Sequence, residues 1–194
     1  MTAEERSLLL KLDRVLRLEQ VRAQIQPIVG RVRAELARKD NALMAWEPIA
    51  LTSFSGALPV VIRSSWVFIL RAGANTGAER HPNSHQRMMS FEGTGDIQTG
   101  AESMGGGVQA PSDIEWKSHI LVSDPEASLE RRWISIPQNV WHQAVIPKRA
   151  DWVVVSFHTV PAEELIEERP RSGGETKQML YLASDRKESQ RCES

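Results

Sequence analysis

Residues Glu79 to Gly95 read E-R-H-P-N-S-H-Q-R-M-M-S-F-E-G-T-G. A second stretch, Pro137-Gln138-Asn139-Val140-Trp141-His142, follows after Gly- and Pro-punctuated sequence. Together they place imidazoles, a carboxylate and a carboxamide in short extended segments, bounded by residues that turn the chain. Such a donor set can hold a divalent metal inside a small β structure. Glu79 and His81 are two residues apart, so on a strand both side chains fall on one face.

Outward from these stretches the period is that of strands. Short apolar runs occupy Pro48–Phe54, Val60–Leu70, Arg87–Phe91, Ile114–Val122, Arg132–Ile136, Gln143–Ile146 and Trp152–Val160, most of them separated by Gly, Pro, Asn or Asp. Many short strands with turn signals and almost no intervening helical pattern predict a β-sandwich or barrel and argue against βαβ units. Before them, Leu8, Leu12, Val15, Leu16, Val21, Ile25, Val29, Val32 and Leu36 recur at spacings of three and four, which predicts amphipathic helix from residue 3 to about 39. Pro27 is expected to divide it in two. Glu4, Glu5, Asp13, Glu19 and Glu35 dilute the arginines of this segment, so docking on the β domain or a sister subunit is expected over a membrane surface.

Thr99–Asp113 is rich in glycine and is expected to be a loop at the mouth of the β domain, because no Lys-Ser/Thr follows to make it a phosphate cradle. Residues beyond Glu163 are strongly polar and are expected to leave the domain, although Met179–Leu182 can add a short strand. The organisation expected is a helical extension (1–45), a β domain (46–162) and a polar tail (163–194).

The 194 residues carry a net charge of −1, with 41% hydrophobic and 25% charged residues, and so no concentrated positive field for nucleic acid. The single cysteine, Cys192, cannot form an internal disulfide and fits a reducing compartment. No apolar run approaches the roughly 20 residues that cross a bilayer, and the acidic N-terminus lacks the pattern of a signal peptide. The expectation is a cytoplasmic protein with a small-molecule partner, no nucleic acid, no membrane and a homodimeric assembly.

The two stretches resemble the paired motifs of the cupin superfamily, G-x5-H-x-H-x3–4-E-x6-G and G-x5-P-x-G-x2-H-x3-N. With Gly93 as the closing glycine, Gln86 stands in place of the family's Glu, His81 in place of the second His and Glu79 in place of the first. The second motif matches at Pro137 and His142. Asn139 replaces its Gly, Ile146 its Asn, and Arg131 its opening Gly. The resemblance implies a mainly β fold, a single cupin jelly-roll β-barrel with an N-terminal α-helical extension. It implies a divalent transition metal held by Glu79, His81, His142 and Gln86, with His85 as the alternative to Gln86. Two imidazoles and one carboxylate are the donors of non-haem Fe(II) sites, so Fe(II) is favoured, with Mn, Ni, Cu or Zn also fitting. Oxygenase, isomerase and lyase chemistry all occur behind such motifs, as do small-ligand binding or sensing without metal and a metal-free epimerase-like barrel with His81 or His142 as base.

Met88 and Ser90 share Gln86's face and are candidates to line a substrate pocket. Arg71 is a candidate carboxylate or phosphate clamp, and Trp133 a ring for stacking on a flat substrate, core packing being the plainer role for a tryptophan. Arg87 is expected outside the pocket in an ion pair. His119 and His158 read as structural histidines that act as acid or base only if they face inward.

Overall fold

The computed structural model describes residues 1–100, 114–171 and 175–182. Most of the glycine-rich loop and Cys192 lie outside these residues. The chain opens with helix α1 (Ala3–Arg17), whose first turn is capped by the Thr2 hydroxyl accepting from the Glu5 amide at 3.2 Å. The expected break falls at Leu18, in extended conformation, and helix α2 runs from Glu19 through Arg38 with Pro27 inside it. Pro27 removes one backbone hydrogen bond, yet Ile25, Ile28, Val29 and Val32 around it are all buried. Burial on both sides of the proline offsets the lost bond and keeps the helix whole.

The strands are β1 (Met44–Pro48), β2 (Ser64–Leu70), β3 (Gln86–Glu92), β4 (Thr94–Gly100), β5 (Trp116–Val122), β6 (Trp133–Ile136), β7 (His142–Val145), β8 (Trp152–His158), β9 (Ile166–Pro170) and β10 (Thr176–Leu180). A one-turn helix, α3 (Leu129–Arg132), leads into β6. The expected strand at Pro48–Phe54 is instead the end of β1 and a 3-10 turn over Leu51–Phe54. β4, with two glycines and only one large apolar residue, carried too little alternation to be foreseen.

The strands are antiparallel and form a five-stranded sheet, β1-β2-β8-β3-β6, a three-stranded sheet, β5-β4-β7, and a ribbon of β9 and β10. The architecture is thus mainly β with N-terminal helices, and among the described residues the sheets stack as a sandwich without a closed barrel. The five-stranded sheet is buried on both faces. Val67, Ile69, Met89, Phe91, Val153, Val155 and Phe157 point to one side and share a core with the buried residues of α1 and α2. Trp66, Phe68, Leu70, Met88, Trp152 and Val154 alternate with them and share a second core with Ile97, Leu121 and Ala144 of the three-stranded sheet. Period-two alternation therefore separates a helix-facing layer from a layer that faces the second sheet.

Buried ion pairs fasten α1 to its sheet. Arg87 of β3 grips Glu5 through Nε (2.6 Å) and Nη2 (2.8 Å). Deeper in, Asp13 accepts from both terminal nitrogens of Arg132 and from Trp133 Nε1 (2.9 Å). The β3–β4 turn is equally confined. Gly93 has φ +85°, and a Cβ there would stand 3.1 Å from the Asp151 carbonyl. A Cβ on Gly95 would lie 2.1 Å from the Trp152 ring. Asp13→Ala should cost about 3 kcal/mol in urea unfolding, because it strands a buried guanidinium and an indole N–H. A loss below about 1 kcal/mol, that of an ordinary surface change, would show that this cluster does not hold the helix.

Candidate metal centre

The site is assembled where the segment Glu79–His81 joins the sheets. Glu79 and His142 sit opposite one another in an antiparallel bridge, each amide donating to the other's carbonyl at 2.8 Å. Directly opposed residues share a face, so both side chains project to the same side. On its other edge the segment pairs Arg80 with Glu168 of β9. The second motif's turn closes underneath, with the Asn139 amide donating to the His81 carbonyl at 3.1 Å. Asn139 has φ +64°, the left-handed conformation that asparagine tolerates best after glycine, which accounts for its place in the glycine position.

Glu79, His81 and His142 each offer one ligating atom, and these three atoms lie within 4.8 Å of one another. The outer hydrogen bonds of the rings set their tautomers. His81 Nδ1 lies 2.9 Å from the Ile166 carbonyl, and His142 Nδ1 lies 3.1 Å from the Val140 carbonyl. A carbonyl only accepts, so each Nδ1 carries a proton, and a neutral ring here would present its lone pair at Nε2. His142 Nε2 is buried without a hydrogen-bond partner, 3.5 Å from Glu79 Oε1. Gln86 is also buried. Its Nε2 donates to Ser156 Oγ at 3.2 Å, and its Oε1 has no partner. Glu79, Gln86 and His142 line a common cavity of about 30 Å³.

His85 lies elsewhere. Its Nε2 is 2.6 Å from Ser135 Oγ and near Glu5, on the helix side of the sheet. Of the pocket candidates, Met88 lines the cavity and the other three do not. Arg71 donates to the Leu36, Lys39 and Ala42 carbonyls and so caps the end of α2. Ser90 is fully buried between Trp152 Nε1 and the Gly93 carbonyl, where it braces the β3–β4 turn. Trp133 projects to the helix side, stacked with Phe157. Arg87 is outside the cavity, as alternation requires, but buried under α1. His119, half-buried, meets Thr99 at 3.0 Å, and Thr99 pairs with His142 between β4 and β7.

Three residues that the sequence reading left out of the site stand around it. His158 is buried against His81 with ring centroids 5.1 Å apart, and both its nitrogens meet serine hydroxyls, of Ser84 and Ser156. Arg169 of β9 reaches Glu79 Oε2 at 2.6 Å, Glu167 at 2.5 Å and the Thr76 carbonyl at 2.9 Å. The described residues of the polar segment after Glu163, 164–171 and 175–182, therefore pack against the β domain. Leu165 and Tyr181, both buried, tie it down, and its charges are spent on the site. The apolar residues among the charges of L-I-E-E-R and M-L-Y-L were the available signal.

Burial by itself would raise the Glu79 carboxyl, but His142, the Arg169 guanidinium and His81 together hold it down to about 2. Burial, with His142 adding to it, pushes His81 down to about 4, against the pull of Glu79. Burial and the neighbouring His81 and His142 push His158 well below its usual range. Burial and the charge on Glu79 raise Glu167 to about 7, with Arg169 working against them. The site thus presents an ionised carboxylate and a neutral His81 at neutral pH, the forms that bind a metal.

No family model matches the chain, and no curated protein does. Solved structures similar to it include the capsular polysaccharide assembling protein CapF from Staphylococcus aureus (15% identity, TM-score 0.44, 62% of this chain and 27% of that one). Others are oxalate decarboxylase from Lactobacillus farciminis in a formate complex (11% identity, TM-score 0.43, 61% and 29%) and oxalate oxidase in complex with the substrate analogue glycolate (17% identity, TM-score 0.41, 60% and 51%). All three are cupin-fold proteins. This chain spans about half or less of their length. No described helix is long and apolar enough to cross a membrane.

In the metal-free protein, the folded state binds fewer protons at His81 than the unfolded state between about pH 6.5 and 4. That contribution to stability is complete above pH 6.5 and is lost as pH falls toward 4. Glu167, raised, acts in the opposite sense as pH climbs through 7. His81→Gln should therefore narrow its stability deficit against the parent as pH drops from 7 to 4.5, read from urea midpoints. A deficit independent of pH would contradict a neutral, buried His81.

Proposed function

We propose that this cupin-like chain binds a divalent transition metal through Glu79, His81 and His142, with Gln86 as a neutral fourth donor, and acts on a small molecule there. One observation carries the reading: Glu79, the Gln86 oxygen and His142 Nε2 converge on one small cavity. His142 Nε2 and Glu79 Oε1 face each other at 3.5 Å, and the Gln86 oxygen on the same cavity is unpaired. With the His142 ring neutral, these are facing lone pairs, and a cation among them would relieve their cost. Each imidazole also passes its outer N–H to a backbone carbonyl, the support commonly found behind metal-ligating histidines.

Two imidazoles and a carboxylate favour Fe(II), with Mn, Ni, Cu or Zn as further occupants. When bound, such a metal would supply a Lewis acid for a substrate's oxygen atoms, the basis of the oxygenase-, isomerase- or lyase-type chemistry proposed here. The chain's own residues support this division of labour. Arg169 holds Oε2 of Glu79 and leaves Oε1 toward His142. The wider reading is a cytoplasmic homodimer, and the lone cysteine fits a reducing compartment.

A metal-free ligand-binding protein is the second reading. It is favoured by Arg169, which already pairs with Glu79. Metal analysis separates the two. After reconstitution with Fe(II) or Mn(II) and desalting, the protein should retain about one equivalent of metal, and His81→Ala and His142→Ala should each lower retention at least about tenfold with an unchanged circular dichroism spectrum. Less than about a tenth of an equivalent for the parent protein, under conditions where such sites normally hold their metal, would leave the ligand-binding reading in place.

A further inference from the structure

The cavity beside the metal centre has a composition that specifies what can enter it. Its polar residues, Thr76, Glu79, Gln86 and His142, mark one end. The rest of its wall is hydrocarbon and thioether: Met44, Phe68 and Leu70 from β1 and β2, Met88 from β3, Ile97 from β4 and Val154 from β8. No lysine or arginine lines it among the described residues. The nearest guanidinium, on Arg169, is committed on three sides to Glu79, Glu167 and the Thr76 carbonyl. A ligand with two negative charges, or a phosphate, would find no cation there except the metal itself. Glu79 would cancel about one of the metal's two charges, and Glu167, raised to about 7, offsets the Arg169 charge only in part, leaving little more than a single positive charge. That balance suits one anionic head, and the apolar wall suits a short unbranched tail.

We propose that the substrate class is a small aliphatic molecule with one metal-binding carboxylate head and a hydrocarbon tail of a few carbons. Oxalate-like dianions, sugars and phosphates are excluded. The inference rests on the metal reading above. The cavity of about 30 Å³ has room for little more than a water molecule. The tail must therefore displace Met44 and Met88, whose unbranched side chains re-pack at low cost.

Co(II) serves as the spectroscopic probe, titrated with formate, acetate, propionate, butyrate, hexanoate and oxalate. Ligand entry is read from the visible d–d band and, independently, from the thermal midpoint. Affinity should tighten about three- to fourfold for each methylene from acetate to butyrate, as burial of a CH₂ requires, and oxalate should bind more weakly than propionate. Met88→Ala should move the best chain length upward by two or three carbons. Met44→Ala on the edge strand, only partly buried, reads the same effect if the first variant fails to fold. A Co(II) band whose ligand response favours oxalate, or is independent of chain length in both parent and variant, would overturn the inference while leaving the metal site standing. Absence of any Co(II) band would remove the metal reading and this inference with it.

Discussion

The five-stranded sheet is buried on both of its faces, and much of the molecule follows from that. Helices α1 and α2 cover one face and the three-stranded sheet covers the other, so each residue of β2, β3 and β8 must serve one core or the other. Along β3 the pattern places Gln86 and Met88 inward and Arg87 and Met89 under the helices. Had α1 not covered its face, Arg87 would be an ordinary exposed arginine. Under the helix it needs Glu5, and the pair fixes where α1 lies. Asp13, Arg132 and Trp133 repeat the device at the other end of the helix. Buried charges of this kind contribute little net stability, but they penalise any other docking of α1.

The same sandwich explains why the centre is chemically unusual. A main-chain bridge opposes Glu79 to His142, and the carbonyls of Ile166 and Val140 fix the rings. Potential ligand atoms therefore converge on one small cavity. Backbone pairing fixes Glu79 against His142 and the Asn139 amide holds the His81 carbonyl, so the side chains have little freedom to rearrange. β9 contributes at two points, through the Ile166 carbonyl and the Arg169 guanidinium. It belongs to the centre as much as the motif segments do.

The readable parts of this protein are those with local periodicity. The helices were legible because their buried positions recur at three and four, and the main strands because apolar runs are bounded by turn residues. The choice between His85 and Gln86 was partly legible, since counting from Gly93 favoured Gln86. What decided it was the strand start, which sends His85 toward Ser135 and Glu5. Arg71, Ser90 and Trp133 were misplaced for one reason. A polar or aromatic residue beside a motif looks functional until the groups that need it are known, here the end of α2, the β3–β4 turn and Asp13.

Sequence alone determined the mainly β architecture and the helical extension, because spacing and turn chemistry act over a few residues, whereas the grouping of Glu79 and His81 with His142 came from the resemblance to the cupin motifs. Only the tertiary structure decided that Pro27 stays inside a helix, that residues 165–171 fold back on the site, and that Arg169, Glu167 and His158 surround it. Those outcomes depend on contacts between residues up to 90 positions apart, as between Glu79 and Arg169. No local pattern encodes such contacts, since the burial that stabilises them exists only once both sheets and both helices have packed.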